Sequence, residues 1–443
     1  MQTKTKSISS PRNMSRSEAL YDRARRVMPG GNTRDTVFYP PSPIYASHGK
    51  GCRVTDVDGV ERIDFVNNFS SLIHGHCNPE IEEAVRRQLA RLPAVGMPTE
   101  EEILLAELLC DRIPSVEQIR FTNSGTEAVM MALKAARFHT GKPKIAKVEG
   151  AYHGSYDWIE VSVEPGADKR GPQSSPASVP RSAAVTPGTL DDVVVLTYND
   201  VEGTRALIEA HAEDLAAVLI DPLVSRMGYA AASQNYLTML REVTERLGIV
   251  LVFDEVYTLR LAPGGLQEKR NVIPDLTALG KIIGGCFPIG AVGGRADIMA
   301  VFDPSRAGVR LPHGGTYNAN PISMVAGHAG MKQLTGDVYA HLDRLGTRAR
   351  QGLREILADA DVDAQVTGEG SLFAIVPTRK PIGNWRDYAV CESRHAAISA
   401  LHRHMLDNGI LMASHGTFVL STPMTENEID VLLDAARTGV HLL

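Results

Sequence analysis

A chain of 443 residues with 43% hydrophobic and 22% charged side chains has the length for two or three domains around sizeable cores, and its apolar content excludes a mainly disordered protein. Its formal net charge of -6 and pI near 6.2 exclude the clustered basic surface of a general nucleic-acid binder, so small molecules are the expected ligands. Five cysteines, Cys52, Cys77, Cys110, Cys286 and Cys391, stand apart and never as C-x-x-C, which suggests neither a disulfide framework nor a zinc site and fits a reducing compartment. No run approaches the roughly 18 apolar residues of a bilayer span, and the polar amino terminus lacks an export signal's apolar stretch, so a cytoplasmic protein without a membrane span is expected.

In chain order, residues 1–16 are Ser/Thr/Lys-rich and are expected to be disordered, and residues 17–28 (SEALYDRARRVM) read as a helix stopped by Pro29-Gly30-Gly31. Residues 52–65 alternate in polarity around Asp58-Gly59, a hairpin signal. From Asn78 onward, helical stretches alternate with short apolar runs. Strands are expected at 118–122, 144–148, 193–197, 216–220, 249–254 and 276–279, and helices at 126–138, 201–212 and 234–247. That alternation predicts an α/β fold, a mostly parallel sheet covered by helices with ligands at the carboxyl ends of its strands. Residues 164–192 interrupt it with Pro, Ser, Gly and Ala, and read either as a loose surface insertion or as a flap over the active site. A helix at 323–334 then leads to a smaller α+β domain. The expected organisation is a disordered 1–16, an amino-terminal segment 17–75 that completes the small domain and the active site, a large domain 76–334, and a small domain 335–443.

Five short motifs carry chemistry. The buried run Ile249-Val250-Leu251-Val252-Phe253 ends in Asp254-Glu255, placing an acid at a strand end; the plainer reading of Asp254 is a cap. Leu279-Gly280-Lys281 ends another apolar run in a lysine. With an ordinary pKa of about 10.4, a lysine acts as a nucleophile only when desolvated or held as an imine. Asn123-Ser124-Gly125-Thr126-Glu127 opens a strong helix, where unpaired N–H groups and the helix dipole suit a phosphate, though Ser and Thr are also ordinary caps. Gly150-Ala151-Tyr152-His153-Gly154 supplies an aromatic face for a flat ring, or core filling, and His153 lines that pocket or satisfies a backbone group. His313-Gly314-Gly315-Thr316-Tyr317-Asn318-Ala319-Asn320-Pro321 is a Gly-rich loop with a hydroxyl before a helix. Each has a bland explanation alone. Together they are the parts a pyridoxal 5′-phosphate site requires: an amine, an acid for the pyridine nitrogen, a stacking face and a phosphate cradle.

On these motifs the chain resembles the class III aminotransferases, which include glutamate-1-semialdehyde aminomutase and the β-amino-acid aminotransferases. The likeness runs from about Ser17 to the carboxyl end and is strongest in RFTNSGTEAVMMALKAAR, EGAYHG, LVFDEV, LGKIIGG and GGTYNANP. The resemblance implies a fold-type-I transferase in which Lys281 is the Schiff-base lysine and proton shuttle and Asp254 pairs with the pyridine nitrogen. It further implies that Val256 and Tyr152 flank the ring and that Ser124, Gly125 and Thr126 hold the phosphate. Thr316 would reach the phosphate of the neighbouring subunit, making a homodimer with shared sites.

Arg34 lies where β-amino-acid-type relatives carry an arginine for the substrate carboxylate, a task its rigid fork suits; the alternative is a surface ion pair with Asp35. The chain departs from its relatives at Asp221-Pro222, usually Glu-Pro, at Ser225-Arg226-Met227, at Tyr257, often Met or Gln, and at Ser414-His415-Gly416, often an arginine loop. Arg226 or His415 would then take the acceptor's carboxylate, or the acceptor is not a 2-oxo acid. The pairs His74/His76 and His402/His404 lack further ligands nearby, so no metal is assigned. The expected activity is ping-pong transfer of an amino group from a β-amino acid or other non-α amine to a keto acceptor. The alternatives are an aminomutase or epimerase and, more remotely, a non-catalytic binding or regulatory protein on the same scaffold.

Overall fold

The apolar runs of the middle of the chain lie side by side in a computed structural model, which describes residues 15–39, 42–308, 310–390 and 395–443. Cys391 and residues 1–14 of the expected disordered terminus lie outside the described residues. Three strands, β1 Ala46–Lys50, β2 Arg53–Asp56 and β3 Glu61–Asp64, form an antiparallel meander. The Asp58-Gly59 turn between the last two is held by Asp56 Oδ1, which accepts from Asp58 N at 3.0 Å and Val60 N at 2.9 Å, while Gly59 takes φ 85°. The preceding helix, Arg16–Ala24, has a Ser15/Glu18 capping box and ends earlier than its apolar pattern suggests.

The main sheet comprises β4 Gln118–Thr122, β5 Lys144–Val148, β6 Val193–Leu196, β7 Leu215–Ile220, β10 Val250–Asp254, β11 Leu276–Gly280 and β12 Gly290–Gly294, in the order β4-β12-β11-β10-β7-β5-β6. Between β7 and β10 a small ribbon, β8 Leu223–Val224 and β9 Ala230–Ala231, turns back on itself. Neighbours from β11 to β6 are parallel, whereas β12 runs antiparallel to both β11 and β4. Alternate residues feed opposite layers: Ala217, Leu219, Val250 and Val252 pack on one side, Val218, Ile220, Leu251 and Phe253 on the other. Each of the larger side chains among these contributes roughly 1.5–3 kcal/mol by its burial. Helix Gly125–Thr140, capped by Ser124 and stopped by Gly141 at φ 70°, covers the first face. Helix Gln234–Leu247, capped by Ser233 and stopped by Gly248 at φ 63°, covers the second.

The pattern reading lacked β12. Its sequence, GAVGG, reads as a loop, yet a methyl group at Gly290 would collide with the Ser124 carbonyl and one at Gly293 would lie 2.6 Å from Val116. Close approach to the Ser124 backbone requires glycine there.

In the carboxy-terminal part, β13 Gln365–Glu369, β14 Leu372–Val376 and β16 Thr417–Val419 form an antiparallel sheet, and β15 Ile410–Leu411 joins β3 in parallel, so the two ends of the chain share a sheet. Residues 164–192 hold one short helix, Pro187–Asp191, and are fastened throughout. Thr197 Oγ1 donates to Gln173 O at 2.7 Å, Ser178 Oγ to Val193 O at 2.6 Å, and the Arg386 guanidinium to the carbonyls of Arg170, Gly171 and Pro172. The segment is a pinned surface layer rather than a loose insertion. Among the described residues no helix is long and apolar enough to cross a membrane, and no three metal-ligating side chains converge.

Candidate active site

Strands β10 and β11 are parallel neighbours with Asp254 in register with Ala278, so Asp254 and Lys281 emerge side by side from the carboxyl edge of the sheet. Lys281 turns off the strand at φ 51°, an uncommon conformation for a side-chain-bearing residue. Burial pushes its pKa down to about 8, with Asp254 and Asp221 pulling the other way. Its Nζ makes no hydrogen bond or ion pair among the described residues and lies 3.8 Å from the centroid of the Tyr257 ring.

Asp254 is buried, accepting from Val256 N at 3.0 Å on Oδ1 and pairing with His153 Nδ1 at 2.8 Å on Oδ2. Burial disfavours the His153 imidazolium while Asp254 favours it, and His153 Nε2 is buried without a partner among the described residues. Through Val256 N Asp254 also caps its own loop, and its neighbour caps a helix. Glu255 is wholly buried, accepts from Thr258 Oγ1, Leu266 N and Gln267 N at 2.6, 2.9 and 2.8 Å, and so caps helix Gly265–Arg270.

The other motifs close around this pair. Ser124 Oγ accepts from Glu127 N at 3.2 Å and Glu127 Oε2 accepts from Asn123 N at 2.7 Å, which fixes the turn. The N–H groups of Gly125 and Thr126 begin the helix, where backbone donors have no intrahelical partner and can hold an anion. A methyl group on Gly125 would lie 3.0 Å from Val256 Cγ2, and one on Gly154 would collide with Thr126 Oγ1. Val256, the Ser124–Thr126 turn and the Tyr152–Gly154 loop are therefore in contact. Asn123 Nδ2 donates to Asn318 Oδ1 at 2.8 Å, tying the Gly-rich loop to the turn, while Thr316 is exposed.

Tyr152 is half-buried and faced by two guanidinium groups, Arg226 at 5.2 Å and Arg181 at 5.7 Å from its ring centroid. Arg226 also pairs with Glu164 at 2.7 Å. His415 is exposed; desolvation by the protein around it, then the charges of Arg226 and His402, push its pKa down to about 4, and Nε2 lies 3.0 Å from Thr417 Oγ1. The ion pair of Arg34 with Asp35 is not formed. Arg34 Nη1 donates to Asn68 Oδ1 at 2.8 Å and its guanidinium lies 5.9 Å from the Phe69 ring centroid, beside a cavity of 340 Å³ that Tyr39, Asn68 and Phe69 also line. Asn67, Asn68, Phe69 and Ser70 all have φ between 47° and 76°, a left-handed turn that costs about 1–2 kcal/mol per residue. Asp64 Oδ1 accepts from Val66 N and Asn67 N, both at 2.8 Å, and Arg260 donates to Ser70 O at 3.1 Å, which holds it there.

The histidine pairs serve the fold: His74 pairs with Gly330 O at 2.9 Å, His76 with Asp64 at 2.9 Å, His404 with Ala435 O at 3.1 Å, and His402 packs on Tyr39. Sequence reasoning assigned no role to Asp221 at the end of β7. It is buried, accepts from Leu223 N at 3.0 Å, and has its pKa raised well above the carboxylate range by burial and by Asp254. The signal was the one used for Asp254, an apolar run ending in an acid. It also passed over Arg260, 1% exposed, with hydrogen bonds to Ser371 Oγ, Ser70 O and Leu420 O that tie three separate stretches of chain.

A desolvated lysine, two buried acids, an orphaned imidazole nitrogen and a glycine cradle at a helix start fit pyridoxal phosphate. Comparison with known proteins agrees. Residues 37–435 match the family model described as aminotransferase class-III. The chain is 42% identical over 373 residues to a glutamate-1-semialdehyde 2,1-aminomutase of Methanothermobacter thermautotrophicus, covering 84% of this chain and 86% of that one. It is 39% identical over 415 residues to the β-phenylalanine transaminase of Variovorax paradoxus, covering 94% and 90%. Its fold superposes on an omega-transaminase from Sphaerobacter thermophilus with a TM-score of 0.93 at 50% identity, covering 97% and 98%. The chain thus belongs to the class III aminotransferases and is a pyridoxal 5′-phosphate-dependent enzyme of that family.

Proposed function

We propose that the enzyme is a transaminase that takes an amino group from a β-amino acid, or another amine set apart from an α-carboxylate, and passes it to a keto acceptor in two half-reactions. The observation that carries this reading is the guanidinium of Arg34. Among the described residues its hydrogen-bond partner is the neutral Asn68, so its charge remains available to a substrate carboxylate. Bound pyridoxal phosphate supplies a carbonyl for the amine and a ring that takes up the electron pair left on deprotonation.

The chain does the rest. Lys281 Nζ holds the cofactor and moves the proton at the carbon that bears the amine. Asp254, oriented by His153, keeps a proton on the ring nitrogen. Ser124, Gly125 and Thr126 bind the phosphate, Val256 and Tyr152 flank the ring, and Thr316 serves the neighbouring subunit's phosphate in a homodimer. Arg226 with His415 receives the acceptor; the bridge to Glu164 lets Arg226 stay charge-matched when the group before it is uncharged. The described cysteines are free, in keeping with a cytoplasmic setting.

An aminomutase is the second reading, favoured by the 42% identical relative. Purified enzyme given an amine panel with and without a keto acid separates the two. A transaminase makes keto product in step with acceptor consumed; an amine that migrates within its own molecule without acceptor would overturn the proposal.

A further inference from the structure

The contact between Lys281 and Tyr257 has no part in the assignments above. Nζ sits 3.8 Å from the ring centroid, within cation–π range, and has no oxygen partner among the described residues. Of the two acids nearby, Asp254 pairs with His153 and accepts from Val256 N, Asp221 accepts from Leu223 N, and neither hydrogen-bonds Nζ. The ring is itself fixed, packed edge-on against Tyr229 at 6.3 Å and 61°. Burial keeps the Tyr257 hydroxyl protonated, so the lysine meets a neutral π face rather than a phenolate; Arg226, Asp221, Tyr152 and Arg260 are the other charged or titratable groups acting on it.

We propose that Tyr257 is a positioning residue for the reaction: its ring is the seat on which the Lys281 ammonium rests whenever the lysine is free of the cofactor. The released side chain is a flexible four-carbon stem, and the ring face gives it one preferred place. A cation on that face also favours the protonated form, so the seat opposes the burial that drives Lys281 toward the neutral amine. Tyr257 therefore sets how long the lysine keeps the proton it must deliver. The inference rests on the reading of Lys281 as the cofactor lysine, and the two fail differently: a reducible covalent adduct that survives Lys281→Ala breaks that reading, whatever Tyr257 does.

The test uses full-length holoenzyme treated exhaustively with an amino donor, so that Lys281 is free, and follows the pH dependence of Lys281 labelling by an amine-reactive reagent through peptide mass spectrometry. Tyr257→Phe keeps the π face and should titrate as wild type does. Tyr257→Met removes it, and its Lys281 midpoint should fall by about one pH unit, with the limb of the kcat profile that reports this group moving the same way. If Tyr257→Met fails to fold, Tyr257→Leu serves as the variant without a π face. A midpoint unchanged on loss of the ring, or one that falls as far in Tyr257→Phe, would overturn the proposal.

Discussion

The floor of the site and its rim are built on different principles. At the floor, Asp254, Lys281 and the Ser124–Thr126 turn stand at the ends of strands or the start of a helix, Asp254 buried and the others half-buried, in contact through backbone and glycine. Their geometry follows from sheet register and cannot drift by one residue without turning a face of apolar side chains outward. At the rim, Arg34, Arg226, His415 and Thr316 come from loops, are partly or fully exposed, and have neutral or exchangeable partners. On the proposed function, the floor carries the chemistry and the rim the choice among substrates. Loops carry such choices because their changes do not disturb the core.

That division is broken most severely if floor substitutions prove mild. Lys281→Ala should abolish the borohydride-reducible adduct and lower turnover by at least about 10⁴-fold, since nucleophile and proton carrier go together. Asp254→Asn keeps the shape but loses the charge, and single-turnover rates should drop by about 10³-fold. At the rim, Arg34→Ala should raise KM for carboxylated amines by about 10- to 100-fold, the worth of a charged hydrogen bond, and leave simple amines unchanged. Equal effects on both amine classes would remove its role. Gly125→Ala lies between the regions: it should weaken cofactor binding by about tenfold, read by fluorescence titration, and Val256→Ala in the same chain should recover part of the loss.

The smallest expected effect concerns Lys147, wholly buried one strand away, with Nζ donating to Val148 O at 3.0 Å and Val161 O at 2.8 Å. Burial pushes its pKa from 10.5 down to about 7. Between those values the unfolded chain binds a proton that the folded chain does not, so this group's contribution to stability rises with pH through the window, is full above it and is lost below it. Lys147→Met should therefore raise Tm by a degree or two more at pH 7 than at pH 10; equal shifts at both would show that the amine is not the cause.

Much of the fold was legible because it depends on local pattern. Runs such as residues 215–220 and 250–254 are apolar throughout, and only a sheet covered on both faces accommodates them. Strand β12 was not legible, since glycine there answers to the Ser124 carbonyl and to Val116, residues far away in sequence. Asp254 and Glu255 are adjacent acids that a sequence cannot tell apart; one turns to His153, the other caps a helix eleven residues on. Asp221 went unassigned for the same reason in reverse, because only the register of β7 against β10 puts it near Asp254 and Lys281.

The sequence by itself determined the alternation of strand and helix, the lysine and acid at strand ends, the glycine-hydroxyl turn and, through them, the cofactor and the family. These are readable because each is set by spacing within a few residues. Tertiary structure alone decided that Arg34 turns to Asn68 instead of Asp35, that residues 164–192 are fastened and bring Glu164 to Arg226, and that Lys281 rests on Tyr257. Such pairings join residues distant in the chain, and their energies depend on burial and orientation that no local pattern contains.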